Sequence, residues 1–251
     1  MRRSDQALVL RRTPFRDSSL IVHFLTRHHG RMSGLARGVR SSKRADRAAL
    51  AGFHTVTLFF NLRSHSQDLA TLGQIEVHQS RPRMSTGNPI LNSGGQVVLE
   101  TLYRALWPRD PQPVLFDLAS QTLDGLEAGE EPMATLAVYL GRLVHLLGYG
   151  WNLDSCIGCG TTYHLDYFSI RRLHAVCGLC GSPYAHRLYP LKKNLKNLMQ
   201  TLAWPIESGL ACSPKELLLM FQLGAACYAF HTDGEIAAAR VFLEHTGFAH
   251  S

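Results

Sequence analysis

Ser41-Ser-Lys-Arg-Ala-Asp-Arg-Ala-Ala-Leu-Ala51 is the stretch on which the reading of the fold turns. Lys43, Arg44, Ala45, Arg47, Ala48, Ala49 and Leu50 are helix formers, and Gly52 ends the run. Its neighbours on both sides have β character. Before it, Gln6–Arg12 alternates through Ala7 and Val9 up to Pro14, and Ser19–Thr26 carries Ile21, Val22, Phe24 and Leu25. Gly30 opens a third run, Arg31–Arg37, which Gly38 closes. After it come Phe53–Phe60, with Val56 and Leu58, and Asp68–His78, with Leu72, Ile75 and Val77. The pattern predicts three strands, a short helix and two strands, the order of the oligonucleotide-binding (OB) barrel. SH3-like barrels share much of that order.

Beyond Pro82 and Pro89, which flank a polar linker, the apolar period becomes helical. Leu91, Val98, Leu102 and Leu106 mark one helix, and Asp110-Pro111 reads as a cap and first-turn proline for a second that runs toward Leu126. Pro132 starts a third, with Leu136, Leu140, Leu143, Val144 and Leu147 on one face and Arg142 and His145 off it. Leu191, Leu195, Leu198 and Leu202 form a further stripe. Ser213-Pro-Lys-Glu216 is a capping box for an apolar helix to His231, and Asp233 reads as the cap of a last helix. The expected fold is α+β: an N-terminal five-stranded OB-fold β-barrel and a C-terminal α-helical domain with an inserted four-cysteine zinc finger. The expected boundaries are 1–80 for the barrel, 81–89 for the linker and 90–251 for the helical domain, with the insertion at about 150–187.

Charge is segregated along this plan. The net charge of +7 conceals 15 Lys or Arg against 5 Asp or Glu in residues 1–83, and 3 against 8 in 84–155. Residues 156–200 hold 6 against 1, and 201–251 hold 2 against 5. In the first block 14 of the 15 basic residues are Arg, whose planar fork suits phosphate and stacks on bases. The block reads as a phosphate-binding surface, against an Arg-rich but merely solvated domain. The same charge serves a DNA-binding protein or, as the alternative, an RNA-binding or ribosome-associated OB/zinc protein. No apolar run is long enough for a bilayer, and Ala7–Leu10, closed by Arg11 and Arg12, is no signal peptide, so a cytoplasmic protein without a membrane partner is expected.

Cys156-Ile-Gly-Cys159, 17 intervening residues and Cys177-Gly-Leu-Cys180 make a C-x2-C-x17-C-x2-C zinc pattern. Four thiolates close a tetrahedral shell and leave no place for a catalytic water, so one structural zinc ion is expected, held by Cys156, Cys159, Cys177 and Cys180. A disulfide pair suits a secreted chain better, and no βαβ pattern surrounds either C-x-x-C to support a redox pair. Cys212 and Cys227 read as packing residues. There is no G-x-x-x-x-G-K-[ST] loop, no H-x-E beside the cysteine pairs, no H-E-x-x-H and no G-x-S-x-G. The expectation is therefore a protein that is not an enzyme and has no catalytic residues. A two-metal nuclease site built from scattered carboxylates is left open.

The expected DNA-binding residues are Arg37, Arg40, Lys43 and Arg44, then Arg11, Arg12, Arg16 and Arg31. The 37–44 cluster follows a strand and includes Gly38, so its charges can project together; the plainer reading is a solvated helix start. Phe15 and Phe53 are stacking candidates, but the stronger reading for each is a core residue. Arg171, Arg172, Lys192, Lys193 and Lys196, with Arg187, make a secondary surface for DNA, for an acidic partner or for solvent alone.

These residues together resemble the RecO family of bacterial recombination-mediator DNA repair proteins over nearly the whole chain. The resemblance lies in Ala7-Leu-Val-Leu-Arg-Arg-Thr-Pro-Phe-Arg-Asp-Ser-Ser-Leu20, in Thr26–Gly30 followed by Gly34-Leu-Ala-Arg-Gly-Val-Arg40, and in Leu147-Gly-Tyr-Gly150 leading into the cysteines. Asp17 stands where the family more often has Glu, and Ala238-Ala-Arg-Val-Phe-Leu243 keeps the family's Arg without its preceding Lys-Ser pair. The resemblance implies an OB-fold, a helical domain with a zinc finger, and no enzymatic turnover. It implies binding of single- and double-stranded DNA, annealing of complementary strands and partnership with RecR. It also implies help for the RecA recombinase in replacing single-stranded-DNA-binding protein (SSB), and a place in the cytoplasm on the bacterial nucleoid.

Overall fold

A computed structural model describes residues 2–39, 48–50, 52–61, 69–202, 212–232 and 234–248. It divides into two compact units, residues 1–130 with 237–251, and residues 131–236.

The first unit contains the barrel: β1 (Arg2–Phe15), β2 (Ser19–Thr26), β3 (Gly30–Ala36), β4 (Thr55–Asn61) and β5 (Leu69–Gln79). Their order around the closed sheet is β1-β2-β3-β5-β4, with β4 returning to pair with β1. Every pair is antiparallel except β3 with β5. This is the OB-fold order that the sequence suggests, and closure leaves no unpaired edge. Residues 48–50, before β4, are helical; residues 40–47 lie outside the described residues. Alternation sorts the strands: Ala7, Val9, Val22, Phe24, Val56, Leu58 and Phe60 fill the interior. Each large side chain among them contributes roughly 1.5–3 kcal/mol when fully buried.

Two details of β1 depart from the sequence reading. The strand does not stop before Pro14 but runs through it to Phe15. It also carries a bulge: Val9 pairs with Phe24 and Arg11 with His23, so Leu10 is the extra residue. Beyond the bulge Arg11 and Arg12 are both exposed, where strict alternation would bury one of them.

Three helices complete this unit: α1 (Pro89–Ala105), α2 (Pro113–Ala128) and, from the far end of the chain, α7 (Ala237–Thr246). Asn88 caps α1 through its side chain, which accepts from Ile90 and Leu91. The first-turn proline of α2 is Pro113, not Pro111, because Asp110 and Pro111 belong to the preceding loop. Asp233 lies outside the described residues. The last helix begins at Ala237, and the Glu100 carboxylate of α1 accepts from the N–H groups of Ala237 and Ala238 at 3.2 and 2.8 Å. The segment that reads as a linker is anchored at its start by Arg81, which is 0% exposed. Its guanidinium donates to Asp124 Oδ1 (2.8 Å), the Phe53 carbonyl (2.8 Å), Thr55 Oγ1 (3.0 Å) and Ser120 Oγ (2.9 Å).

The second unit holds α3 (Pro132–Leu146), strands β6 (Tyr167–Ser169), β7 (His174–Val176) and β8 (Tyr189–Pro190), and helices α4 (Gly178–Gly181), α5 (Lys193–Thr201) and α6 (Pro214–Thr232). A 3-10 turn, Ser182–Arg187, follows α4. Helices α3 and α6 approach closely at Gly224, where a Cβ would lie 2.7 Å from that of Leu140. Arg142, off the apolar stripe, donates from Nε to the Leu202 carbonyl at the end of α5 (2.7 Å). Ser213 and Glu216 form the reciprocal capping box that their spacing predicts: Glu216 Oε2 accepts from the Ser213 N–H (2.9 Å), and Ser213 Oγ from the Glu216 N–H (3.3 Å).

Candidate nucleic-acid surface and cysteine centre

The ladder sets a polar row across the outside of the barrel. Arg11 of β1 is paired with His23 of β2, and His23 with Ser33 of β3. Inward neighbours alternate with these positions, so the row faces outward. His23 Nδ1 and Ser33 Oγ are 2.8 Å apart. Tyr103 of α1 lies against the row, with the guanidiniums of Arg11 and Arg31 5.3 and 5.2 Å from its ring centroid and the His23 ring edge-on at 5.2 Å. Cation–π contacts of this length order a guanidinium without consuming its hydrogen-bonding edge. Burial, then the charges of Arg31 and Arg11, lower the pKa of His23, so the row carries its positive charge on arginine.

Other residues named from the sequence are dispersed around this row. Arg12 lines a cavity of about 270 Å³ together with Arg11, Phe53 and Gln96. Arg16 sits in the β1–β2 turn at φ 52°, its guanidinium 5.3 Å from the Phe15 ring. Arg37 is exposed in the turn that follows β3. Arg40, Lys43 and Arg44 lie outside the described residues. Phe53 is buried and Phe15 half-buried. Tyr103 and Trp107 have no place in the sequence reading; Trp107, in the loop after α1, is 78% exposed. A tryptophan just past a helical stripe and before a proline was the available signal. Not all the basic charge of residues 1–83 is outward. Arg27 pairs with Asp117 (2.9 Å), Arg83 bonds to Glu127 and Arg81 is buried, so these three fasten the barrel to α2.

In the second unit, Arg171 and Arg172 occupy the exposed β6–β7 turn, and with Arg187 and Tyr184 they line a cavity of about 770 Å³. Lys192 and Lys193 are exposed at the start of α5 and Lys196 is half-buried on it.

Cys156 and Cys159 lie on one turn and Cys177 and Cys180 on another, at the start of α4. Their four sulfurs all fall within 4.8 Å of one another. Cys159 Sγ and Cys177 Sγ are 3.7 Å apart. A tetrahedron of thiolates at the usual distance of about 2.3 Å around zinc has an edge of about 3.8 Å, so the cage matches that metal in size and donor type. Backbone amides are set to carry the negative charge: Cys156 Sγ accepts from Gly158 and Cys177 N–H (3.4 and 3.3 Å), and Cys177 Sγ from Cys180 N–H (3.4 Å). Burial opposes a Cys156 thiolate, but the N–H groups of Cys177, Cys159 and Gly158 outweigh it and bring the thiol down to about 6. Cys180 moves the other way, pushed up by hydrogen bonding with Cys177 and Cys159. Cys227 is buried in α6 away from this cage, as a packing residue should be, and Cys212 is half-buried before α6.

Comparison with known proteins spans both regions. A family model described as Recombination protein O N terminal matches residues 1–81, and one described as Recombination protein O C terminal matches residues 87–238. The DNA repair protein RecO of Bacillus pumilus is 30% identical over 196 residues, covering 77% of this chain and 75% of that protein. Its counterpart in Geobacter sulfurreducens is 30% identical over 185 residues, covering 71% and 74%. That of Listeria welshimeri is 29% identical over 196 residues, covering 78% and 74%.

Proposed function

Because this chain belongs to the RecO family of DNA repair proteins, we propose that it is a recombination mediator that works by binding rather than by turnover. It binds single- and double-stranded DNA, anneals complementary strands and, with RecR, helps RecA load onto DNA coated with SSB. It does so in the cytoplasm, on the nucleoid. The observation that carries this reading is the pair of guanidiniums ordered on Tyr103 across the barrel's outer face. Each arginine that meets a phosphate releases condensed counterions, a favourable term needing no base sequence and no nucleotide hydrolysis. Arg37, Arg40, Lys43 and Arg44, with Arg11, Arg12, Arg16 and Arg31, form the DNA-contacting set on the barrel of residues 1–80. Segment 81–89 joins that domain to the helical one, 90–251. The Arg171 and Arg172 turn, with Lys192, Lys193 and Lys196, is a second DNA or partner surface.

Cys156, Cys159, Cys177 and Cys180 hold one zinc ion, whose role is to fold the insertion. With four protein ligands there is no open position for chemistry.

The decisive experiment is annealing of complementary strands coated with SSB, with and without RecR. Acceleration is the expected result, and none in either arm would overturn the mediator reading. A clear preference for RNA over matched DNA would favour the ribosomal alternative. Specific cleavage of labelled DNA with Mg²⁺ or Mn²⁺ would make the protein an enzyme.

A further inference from the structure

One cleft in the first unit is built for a smaller target than a continuous strand. Its volume is about 460 Å³, and it is lined by His28, His29, Arg31, Ser33 and Arg109, with Met32, Ala70, Pro108 and Pro111. That is the size class of a pocket for one small ligand rather than of a polymer groove. Its wall is the loop between α1 and α2, which is locked onto the barrel. The Arg109 N–H donates to the Arg31 carbonyl (2.9 Å), and a Cβ at Gly30 would collide with the Asp110 carbonyl. Only glycine permits that approach, and Gly30 is also at φ +71°. Arg109 itself is held at φ 62°, a backbone cost accepted at the rim of the cleft.

The polar lining is basic, and among the described residues it holds no carboxylate. Arg31 Nε is buried with no hydrogen-bond partner among the described residues. Behind the cleft the Asp5 side chain, 2% exposed, engages Nδ1 of His28 (2.9 Å) and Nδ1 of His29 (2.7 Å), and accepts from the His28 N–H (2.8 Å). Both rings therefore have only Nε2 left for a ligand, and the shared Asp5 carboxylate holds both imidazoles in place. Two arginines and two carboxylate-backed imidazoles suit a phosphate monoester, which carries more charge and more free oxygens than a diester. The apolar lining, and the exposed indole of Trp107 next to Pro108 in the chain, suit the sugar and base that come with it.

We infer that this cleft receives the phosphorylated terminal nucleotide of a DNA strand. The inference rests on the proposal that the barrel binds DNA, and adds that the barrel distinguishes an end from an interior.

The test compares one single-stranded sequence as a covalently closed circle and as linear strands with a 5′-phosphate, a 3′-phosphate or hydroxyl ends only. One phosphorylated end is expected to bind about tenfold tighter than the hydroxyl form, the scale of one added charge-assisted contact. Trp107→Ala, a change at an exposed residue, and Arg109→Gln should each remove that preference and leave binding of the circle unchanged. Saturating deoxyadenosine monophosphate should abolish the preference without displacing the circle. Equal binding of all four forms would overturn the terminal site while sparing the DNA-binding proposal. No binding of any form would overturn both. Binding of the free nucleotide with no end preference would make the cleft a mononucleotide site and overturn the assignment to strand ends.

Discussion

The barrel and the four-cysteine insertion are both small β structures, and they solve the same problem by opposite means. The barrel strands run from 7 to 14 residues and close into a ring. The insertion's strands have 3, 3 and 2 residues in an open order, β7-β6-β8. Phe168, Ala175, Leu165 and Val176 give the insertion a scrap of core, against the far larger set of side chains packed inside the barrel. Backbone closure and apolar burial suffice for one. On the proposed zinc reading the other depends on ligation, since so few strand residues cannot offset their own ordering entropy.

Removing the metal is the largest expected blow to that contrast. Cys156→Ser with Cys159→Ser, or a strong chelator, withdraws roughly 10–16 kcal/mol of metal-linked folding energy from the insertion. Elemental analysis should show zinc released, and protease should then cut between Leu153 and Leu191 while the barrel stays intact. An insertion that stays resistant without metal would break the comparison.

Next in size is Arg81→Met. It deletes the five hydrogen bonds of a fully buried guanidinium, at a cost of about 2–4 kcal/mol in urea unfolding. Asp124→Asn should cost under about 1 kcal/mol, because the Asp124 side chain is 45% exposed. Equal costs would mean that the ion pair, not the shared hydrogen bonding, fastens the barrel to α2.

Much of this was legible in the residues. The β runs on either side of Ser41–Ala51 and the paired cysteines carry their own periodicity and spacing, so the barrel order and the cage could be read in advance. What escaped was set by residues distant in sequence. Arg81 looks like every other arginine of its block until Asp124 and Ser120 come round to meet it. Tyr103 reads as one more residue of a helical stretch, and only the barrel's register brings Arg11 and Arg31 to its ring. The cap of α7 belongs to Glu100, more than a hundred residues earlier in the chain.

The proposed DNA surfaces extend the comparison to function. Reversing Arg37, Arg40 and Lys43 should flatten the salt dependence of single-strand binding by roughly 0.7 in log–log slope for each phosphate that is no longer neutralised. Arg171→Glu with Arg172→Glu measures the second unit in the same way. An unchanged slope in the first set would mean that those residues face elsewhere, and equal slopes would make the insertion a full partner in binding.

The smallest effect expected is with pH. Burial is the main cause that lowers the His23 and His54 pKa values, with nearby arginine charge adding to it. Below about pH 6.5 the unfolded chain takes up protons that these folded imidazoles refuse, so barrel stability falls as pH drops through that range, by at most about 1.4 kcal/mol per unit for each group. Asp5 works lower down. Burial alone would raise its pKa, but hydrogen bonds from His29 and His28 prevail and lower it, so its contribution disappears only in stronger acid. Urea midpoints that stay flat between pH 7 and 5 would show that both imidazoles protonate in place.

The return of α7 to α1 also fixes an order of events during synthesis. The first unit takes its opening 130 residues from the start of the chain and its last helix from residue 237 onward. A ribosome must therefore make all of 131–236 before that helix exists, a delay of about 5–20 s at roughly 5–20 residues per second. Throughout it, Ser93 lacks His245 and the Glu100 carboxylate lacks the amides it will cap. Nascent chains stalled at residue 236 should accordingly bind a hydrophobic dye or chaperone that the finished protein does not, and equal binding would mean that α7 shields nothing. In translation, α1 has to wait for α7.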